Sequence, residues 1–312
     1  MTNDNISISI IGPTAVGKTE IALQLTELPF LKQKFSGFDL ISADSKQVYQ
    51  GMEIITGADI PEQMKADVSL FGVSMIKPNE EWSLSHFRKF GQEILNQSWS
   101  NNHLPIIVGG TGLYHRFLFS ADEVIDLKPL TEVREKAEFL TVLEMQNWLK
   151  SVNEQHFNNM NYSDQNNPRR LVRAIEVALT PAKSTKQSSI LKNYRNFTLG
   201  IIDSLTTIEQ KIIQRVKQRL KTGAIQEVAN LLTLDPLPTK QALSAAGVKE
   251  IEQLINGQAT EFEVIEHWSR RELQYAKRQI TWWKKYSQAQ WFNREKNNWD
   301  KEIFDFVVEN IS

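Results

Sequence analysis

Two hydrophobic patterns alternate along this chain. Ile6-Ser7-Ile8-Ser9-Ile10-Ile11 alternates and is β-branched, which predicts a strand. Phe38-Asp39-Leu40-Ile41-Ser42-Ala43-Asp44 predicts a second strand ending in a carboxylate, and apolar positions within 67–76 predict a third. Leu104-Pro105-Ile106-Ile107-Val108 reads as a buried parallel strand by its length and branching. Helical spacing fills the gaps, in residues 20–25 and from a cap at Ser83 or Ser85 to about 98, while residues 54–61 read as loop. Over 121–195 strand runs vanish, and helices are predicted at 130–150 and 168–179. Strand pattern returns at 196–203. Helices follow at 208–222, ended by Gly223, at 225–232, and over most of 241–255 beyond the breaks at Pro236 and Pro238. A last long helix covers 267–286, and residues 287–312 read as a packed tail. The pattern predicts an α/β fold: a parallel sheet flanked by helices, built from 1–120 and 196–312 with C-terminal helices, and a helical insertion at 121–195.

Composition narrows the chemistry. The 312 residues carry a net charge of −1, so a nucleic-acid partner would have to be held by a local patch. There is no cysteine, which excludes disulfides, cysteine nucleophiles and thiolate zinc sites, and fits a reducing cytoplasm. No signal peptide or membrane span is legible, so the expectation is a cytoplasmic protein without a membrane partner.

The first chemical signal follows the first strand. Gly12-Pro13-Thr14-Ala15-Val16-Gly17-Lys18-Thr19 has the spacing G-x-x-x-x-G-K-T between a strand and a helix, the context of a phosphate-binding loop. Glycines let successive N–H groups point at an anion, the helix N-terminus adds partial positive charge and Lys18 a full one, and the Thr19 hydroxyl can hold Mg2+. This makes the core sheet P-loop NTPase-like. Asp44 and Ser45, and Thr111 in the Gly109-Gly110-Thr111-Gly112 turn, stand at strand ends where ligands sit in open α/β sheets. An ATP-hydrolysing enzyme would commonly end such a strand in a magnesium-ordering acid, but this one ends in glycine; Asp203 is the rival carboxylate. His86 reads as a helix-surface residue. Arg169, Arg170 and Arg173 share one helical turn, either solvated or on an anion. The long helix carries six basic residues and one acid from His267 to Tyr286, interleaved with Trp268, Tyr275, Trp282, Trp283 and Tyr286, a mixture suited to nucleic acid or to an amphipathic surface.

Taken in order, Gly12 to Thr19, Ile41-Ser42-Ala43-Asp44-Ser45-Lys46-Gln47-Val48-Tyr49-Gln50-Gly51-Met52, Val108-Gly109-Gly110-Thr111-Gly112-Leu113-Tyr114, Asn167-Pro168-Arg169-Arg170 through Val177, and Tyr275-Ala276-Lys277-Arg278-Gln279 with Thr281-Trp282-Trp283 resemble the bacterial tRNA dimethylallyltransferases. The resemblance implies transfer of a dimethylallyl group from its diphosphate to the exocyclic amine of the adenine 3′-adjacent to the tRNA anticodon. It implies that the phosphate loop, Gly12, Pro13, Thr14, Ala15, Val16, Gly17, Lys18 and Thr19, holds a leaving diphosphate, with Mg2+ near Thr19 and Arg173 or a basic residue of the last helix closing on it. It implies catalytic roles for Asp44 as general base, Thr111 and Lys18. It implies tRNA contacts at Asp44, Ser45, Lys46, Gln47, Thr111, Asn166, Asn167, Pro168, Arg169, Arg170, Lys277, Arg278 and Gln279, in a monomer whose insertion grips the anticodon stem-loop. The chain departs from the family pattern at Val16, at Ile55-Thr56-Gly57-Ala58, at Ser204, at Arg219 and at Val248. A P-loop kinase or NTPase, and a tRNA-binding paralogue without transfer activity, stand as alternatives.

Overall fold

The computed structural model describes residues 5–58, 66–120, 123–180, 191, 193–285 and 288–311. The strands are β1 (Asn5–Ile11), β2 (Gly37–Ser42), β3 (Val68–Phe71), β4 (His103–Val108), β5 (Tyr194–Ile202) and β6 (Gln290–Asn293). They form one six-stranded sheet in the order β3-β2-β4-β1-β5-β6, and every pairing is parallel. The helices up to the fifth are α1 (Lys18–Leu25), α2 (Pro29–Lys34), α3 (Glu53–Thr56), α4 (Leu84–Ser100) and α5 (Gly112–Leu118). Next come α6 (Thr131–Ala137), α7 (Val142–Asn159), α8 (Tyr162–Gln165) and α9 (Pro168–Leu179). The rest are α10 (Leu205–Thr222), α11 (Ala224–Leu232), α12 (Lys240–Leu243), α13 (Val248–Ile255), α14 (Glu261–Trp283) and α15 (Trp299–Ile311).

The chain divides into two compact units, Met1–Phe119 with Ile190–Ser312, and Ser120–Ser189. In the first, successive strand residues go to opposite faces, as the pleat requires. Leu40 and Ile106 join one apolar cluster while Ile41 and Ile107 join another, so the sheet is covered on both sides. The serines that made β1 alternate are therefore buried too; Ser7 Oγ and Ser9 Oγ donate to Asn196 Oδ1 at 3.0 and 3.1 Å. That satisfies hydroxyls whose burial alone would be costly. In the second unit, Val133, Met145, Leu149, Phe157, Leu171 and Ile175 form a separate small core. Glu176 sits within it, accepting from Arg134 Nε and Arg173 Nη1, each at 2.8 Å. Burial pushes this carboxyl up, but the two arginines together hold it below the usual carboxylate range.

The register explains why the strand ends matter. Val108 lies opposite Ser42 and opposite Ile10, so β1, β2 and β4 finish in line. The phosphate loop, Asp44 and the glycine-rich turn therefore emerge side by side.

Several elements differ from the sequence expectation. The helix expected at 130–150 is two, because Thr141 starts a new capping box with Glu144. The stretch 241–255 is also two helices, parted at Gly247, whose φ of 97° only glycine adopts readily. Residues 53–56 form a helical turn where loop was expected, and the third strand is confined to Val68–Phe71. The tail contributes β6, a sixth strand. β5 starts at Tyr194 opposite Asn5, and the compact helical unit ends at Ser189 rather than at 195. Residues 59–61, Ala121 and Tyr286 lie outside the described residues.

Candidate active site

The loop between β1 and α1 is shaped by three left-handed residues, Gly12 (φ 145°), Ala15 (φ 62°) and Gly17 (φ 87°). Gly17 caps α1, so Lys18 and Thr19 open that helix with its N–H groups toward the cavity. Gly12 has no room to be anything else: a Cβ there would stand 2.3 Å from the Ile201 carbonyl oxygen, a backbone atom that cannot swing away. Gly12→Ala is expected to destabilise the fold by about 1–3 kcal/mol, read as a drop of several degrees in the thermal midpoint, with loss of diphosphate binding. An unchanged midpoint would show that the turn tolerates a side chain.

Other elements hold the loop in place. Thr14 N donates to Gln279 Oε1 of α14 at 2.8 Å, and Arg294 Nη1 donates to Val16 O at 2.7 Å. Lys18 Nζ donates to Pro13 O at 2.7 Å, folding its ammonium back over the loop. Burial lowers the Lys18 ammonium to about 7, with Arg215 adding to the shift and Asp44 opposing it. A cation so poorly solvated is poised for an anionic ligand.

Asp44 follows β2. Its Oδ1 accepts from Lys46 N at 2.8 Å, which turns the chain and leaves the carboxylate at the mouth of the strand. The turn is braced by Ser42 Oγ donating to Gln47 Oε1 (2.7 Å) and Gln47 Nε2 donating to Gly57 O (2.9 Å). α3, which ends at that point, is clamped by Glu227, whose two oxygens accept from Ile54 N and Ile55 N at 2.9 and 2.6 Å. On the next strand, Gly109 abuts the Ala43 backbone, Gly110 abuts Gln279, and Gly112 abuts the Trp282 ring, so the glycine turn is pressed between β2 and α14. Thr111 Oγ1 is buried there and makes no hydrogen bond of good geometry among the described residues.

These parts wall a cavity of about 540 Å3 whose lining includes Thr14, Ala15, Gly17, Lys18, Thr19 and Asp44. The lining also includes Lys211, Gln214, Arg215 and Gln218 of α10 and Tyr275 and Gln279 of α14. Burial, and then Asp44's charge, raise the Tyr275 phenol to about 12, with the Thr111 and Gln279 side chains pulling the other way. Thr14, Asp44, Thr56 and Tyr275 also wall a second cavity of about 280 Å3, whose further lining includes Ser45, Lys46, Arg271 and Arg278. An anion cradle and a carboxylate thus share one space, and a second space opens beside them.

The IPP transferase family profile matches residues 47–286. The chain belongs to the IPP transferase family. It is 32% identical over 308 residues to the tRNA dimethylallyltransferase of Staphylococcus carnosus (strain TM300), covering 95% of this chain and 93% of that one. The full-length tRNA isopentenylpyrophosphate transferase of Bacillus halodurans has a similar structure, with TM-score 0.69, 26% identity and coverage of 98% and 96%. A eukaryotic dimethylallyltransferase solved acting on tRNA shares the fold at TM-score 0.77 and 22% identity, covering 98% of this chain and 78% of that one.

Within this IPP transferase, the expected residues Gly12 to Thr19, Asp44, Ser45, Lys46, Gln47, Thr111, Lys277, Arg278 and Gln279 all belong to the sheet unit. Lys46 Nζ reaches over to Ser244 Oγ at 2.7 Å, and Gln279 is buried on the phosphate loop. Lys277 and Arg278 are exposed on α14, while Trp268 and Trp283, candidates for base stacking, are fully buried and pack the helix down. Asn166, Asn167, Pro168, Arg169 and Arg170 are exposed in the helical unit, at the start of α9, which Asn167 caps by accepting from Arg169 N at 3.1 Å. Arg173 also lies in that unit, donating to Glu176 Oε2 and, at 2.9 Å, to Leu127 O. His86 completes a capping box with Ser83 at the start of α4. Asp203 is ion-paired to Lys211 at 2.9 Å.

Sequence reading missed Lys211, Gln214, Arg215, Gln218 and Tyr275 as lining residues of this transferase. The first four stand at i, i+3, i+4 and i+7, one polar stripe of α10, a spacing visible in the sequence. The departures from the family pattern have local accounts. Ser204 caps α10 by accepting from Thr207 N, Val16 and Val248 are buried, and Arg219 is ion-paired to Glu272 at 2.6 Å.

Proposed function

We propose that this chain transfers a dimethylallyl group from dimethylallyl diphosphate to N6 of the adenine 3′-adjacent to the anticodon in tRNA, releasing diphosphate. The observation that carries this reading is that Asp44 and the phosphate loop wall the same cavity. The adenine amine nitrogen attacks the allylic carbon bonded to oxygen. The carbon–oxygen bond breaks, and its electron pair leaves with the diphosphate. Asp44 takes the proton that the amine must lose. The loop N–H groups and Lys18 meet the charge growing on the leaving oxygen, where fixed donors act most strongly. We assign the second diphosphate cation to Arg215, which walls the cavity and whose charge is felt by Lys18, because the Arg173 guanidinium is committed to Glu176 and Leu127. Thr111 lies at the same strand-end face and orients the reacting groups.

Mg2+ fits this site in one way. No group of three or more His, Cys, Asp or Glu side chains able to hold a metal is found among the described residues, so no all-protein cage is on offer. Thr19 lines the cavity and would share the ion with diphosphate oxygens, the arrangement usual for magnesium on phosphates. The ion would supply charge neutralisation to the leaving group.

The exposed Asn166 to Arg170 turn, with Ser45, Lys46, Gln47 and the exposed Lys277 and Arg278, provides the contacts proposed for the anticodon stem-loop, and the target adenine leaves its stack to react. Among the described residues no helix is long and apolar enough to cross a membrane. The reading takes the chain to act as a monomer in the cytoplasm.

The test incubates the protein with dimethylallyl diphosphate, magnesium and unmodified tRNA carrying adenine 3′ of the anticodon, and weighs the digested nucleosides. The expected product is that adenosine with one dimethylallyl group in place of a hydrogen. No mass gain at adequate protein, or turnover of ATP in its place, overturns the proposal.

A further inference from the structure

The segment that follows the last strand reaches the phosphate loop from behind. Arg294 comes directly after β6, and its backbone N donates to Ile202 O at 2.9 Å, which seats it at the end of β5. Its guanidinium lies over the Trp299 ring, 4.5 Å from the centroid, and Nη1 stands 3.9 Å from a Glu20 carboxylate oxygen. From there Nη1 donates to Val16 O at 2.7 Å. A Cβ on Gly17 would stand 2.2 Å from the same nitrogen, so the guanidinium is pressed against the Gly17 backbone.

What this contact fixes is the orientation of one peptide group. The Val16 carbonyl and the Gly17 N–H belong to a single planar trans peptide and point in opposite directions. With the carbonyl held by Arg294, the Gly17 N–H is turned away from Arg294. Gly17 lines the cavity of about 540 Å3, and Arg294 does not. An anion cradle is built from N–H groups aimed at the ligand. The opposite orientation would set a carbonyl oxygen against the anion. Glycine offers little resistance to such a half-turn, because it takes positive and negative φ about equally readily. Val16 is fully buried, so its carbonyl, deprived of Arg294, would be left without water or a donor. That is costly, and a half-turn of the peptide would relieve it.

We infer that Arg294 is a positioning residue for the donor: it latches the Val16–Gly17 peptide so that the Gly17 N–H serves the diphosphate cradle. This rests on the proposed function in taking diphosphate as the ligand of the loop. Arg294 touches no reacting atom and acts through Gly17. A residue of the tail, outside every motif legible in the sequence, thereby sets donor affinity and keeps in place one of the donors that meet the charge growing on the leaving group.

The test uses the full chain and inorganic diphosphate with magnesium, followed by calorimetry. Arg294→Ala is expected to bind diphosphate roughly 10–100-fold more weakly, the scale for losing a hydrogen bond from a charged donor to a buried acceptor. Its affinity for the anticodon stem-loop is expected to be unchanged. Methylguanidinium, added at concentrations too low to unfold the protein, is expected to refill the vacated space and recover part of the lost diphosphate affinity, to which a general loosening of the tail would not respond. The direct readout is the Gly17 amide in protein isotope-labelled at glycine nitrogen. In the unaltered chain its proton is expected to move downfield when diphosphate binds, as an N–H bonded to an anion does, and in Arg294→Ala that shift is expected to be lost. Unaltered diphosphate affinity in Arg294→Ala overturns the inference, as does a loss that methylguanidinium leaves in place. A Gly17 proton in the unaltered chain that ignores diphosphate also overturns it, whether or not the variant folds. In each of these cases the proposed function stands. Failure of the unaltered chain to bind diphosphate overturns the proposed function itself.

Discussion

Asp44→Asn lowers the rate of dimethylallyl transfer by roughly 10²–10⁴-fold, the range for loss of a positioned general base. Asparagine is chosen over alanine because Asp44 has a second duty: its Oδ1 accepts from Lys46 N at 2.8 Å and so shapes the turn. An amide oxygen can keep that bond, and the turn also keeps its Ser42–Gln47–Gly57 bracing. The variant therefore removes the base and leaves the strand end in place. Affinity for tRNA is expected to stay within about tenfold, since an uncharged contact of the same shape replaces a charged one. Single-turnover transfer with tRNA and donor both saturating separates chemistry from binding. Near-normal single-turnover rates would remove Asp44 from the proton's path. One side effect is built in. Asp44 raises the Lys18 ammonium, so its loss leaves Lys18 easier to deprotonate. The comparison belongs on the acid side of neutrality, where Lys18 is charged in both proteins.

What the sequence made legible was whatever is written in consecutive residues. The phosphate loop is eight neighbours between a strand and a helix, and its chemistry follows from their order. Asp44 and Thr111 were legible for a related reason: each closely follows a strand, and parallel strands in register bring their ends together, as Ser42, Val108 and Ile10 do. The rest of the cavity lining was not legible in that way. Arg215 and Tyr275 come from two helices remote from the loop in sequence, and only the packing of α10 and α14 brings them to it. The polar stripe on α10 was readable as periodicity, but periodicity does not say what a face looks toward. The aromatic residues of α14 show the same limit. Trp268 and Trp283 are as suited to stacking on bases as to burial, and burial prevails because Gly247 leaves room for the Trp268 ring and His115 meets the Trp283 ring edge-on. β6 is only four residues, Gln290-Trp291-Phe292-Asn293, too short for alternation to declare it. It joins the sheet because Trp291 fills the space left by Gly200 on β5. The split of 130–150 was legible in principle, since Thr141 and Glu144 have capping-box spacing inside an otherwise helical run.

Lys18→Met is expected to cost about 10²–10³-fold in transfer rate, the scale for removing one group that stabilises developing negative charge. The stronger test of its role is a pH profile. In the free protein burial and Arg215 bring the Lys18 ammonium from its ordinary 10.5 down to about 7. Below that value Lys18 is already charged, and it adds no pH dependence to diphosphate binding. Above it the lysine is neutral, and binding an anion must take up a proton. Donor affinity should therefore fall as pH rises past about 7, by up to tenfold per pH unit, until the pKa of the bound state is reached. Calorimetry in buffers of different ionisation enthalpy should show proton uptake approaching one per diphosphate between about pH 8 and 9. Lys18→Met should bind weakly and without that slope. The free chain must show the reciprocal behaviour. Its folded state binds fewer protons than the unfolded chain between about 7 and 10.5, so the Lys18 contribution to stability rises with pH across that window. A donor affinity flat above neutrality would mean that Lys18 stays protonated in the empty site. Its hydrogen bond to the Pro13 carbonyl would then be a charged clasp on the loop, opened only when the diphosphate arrives.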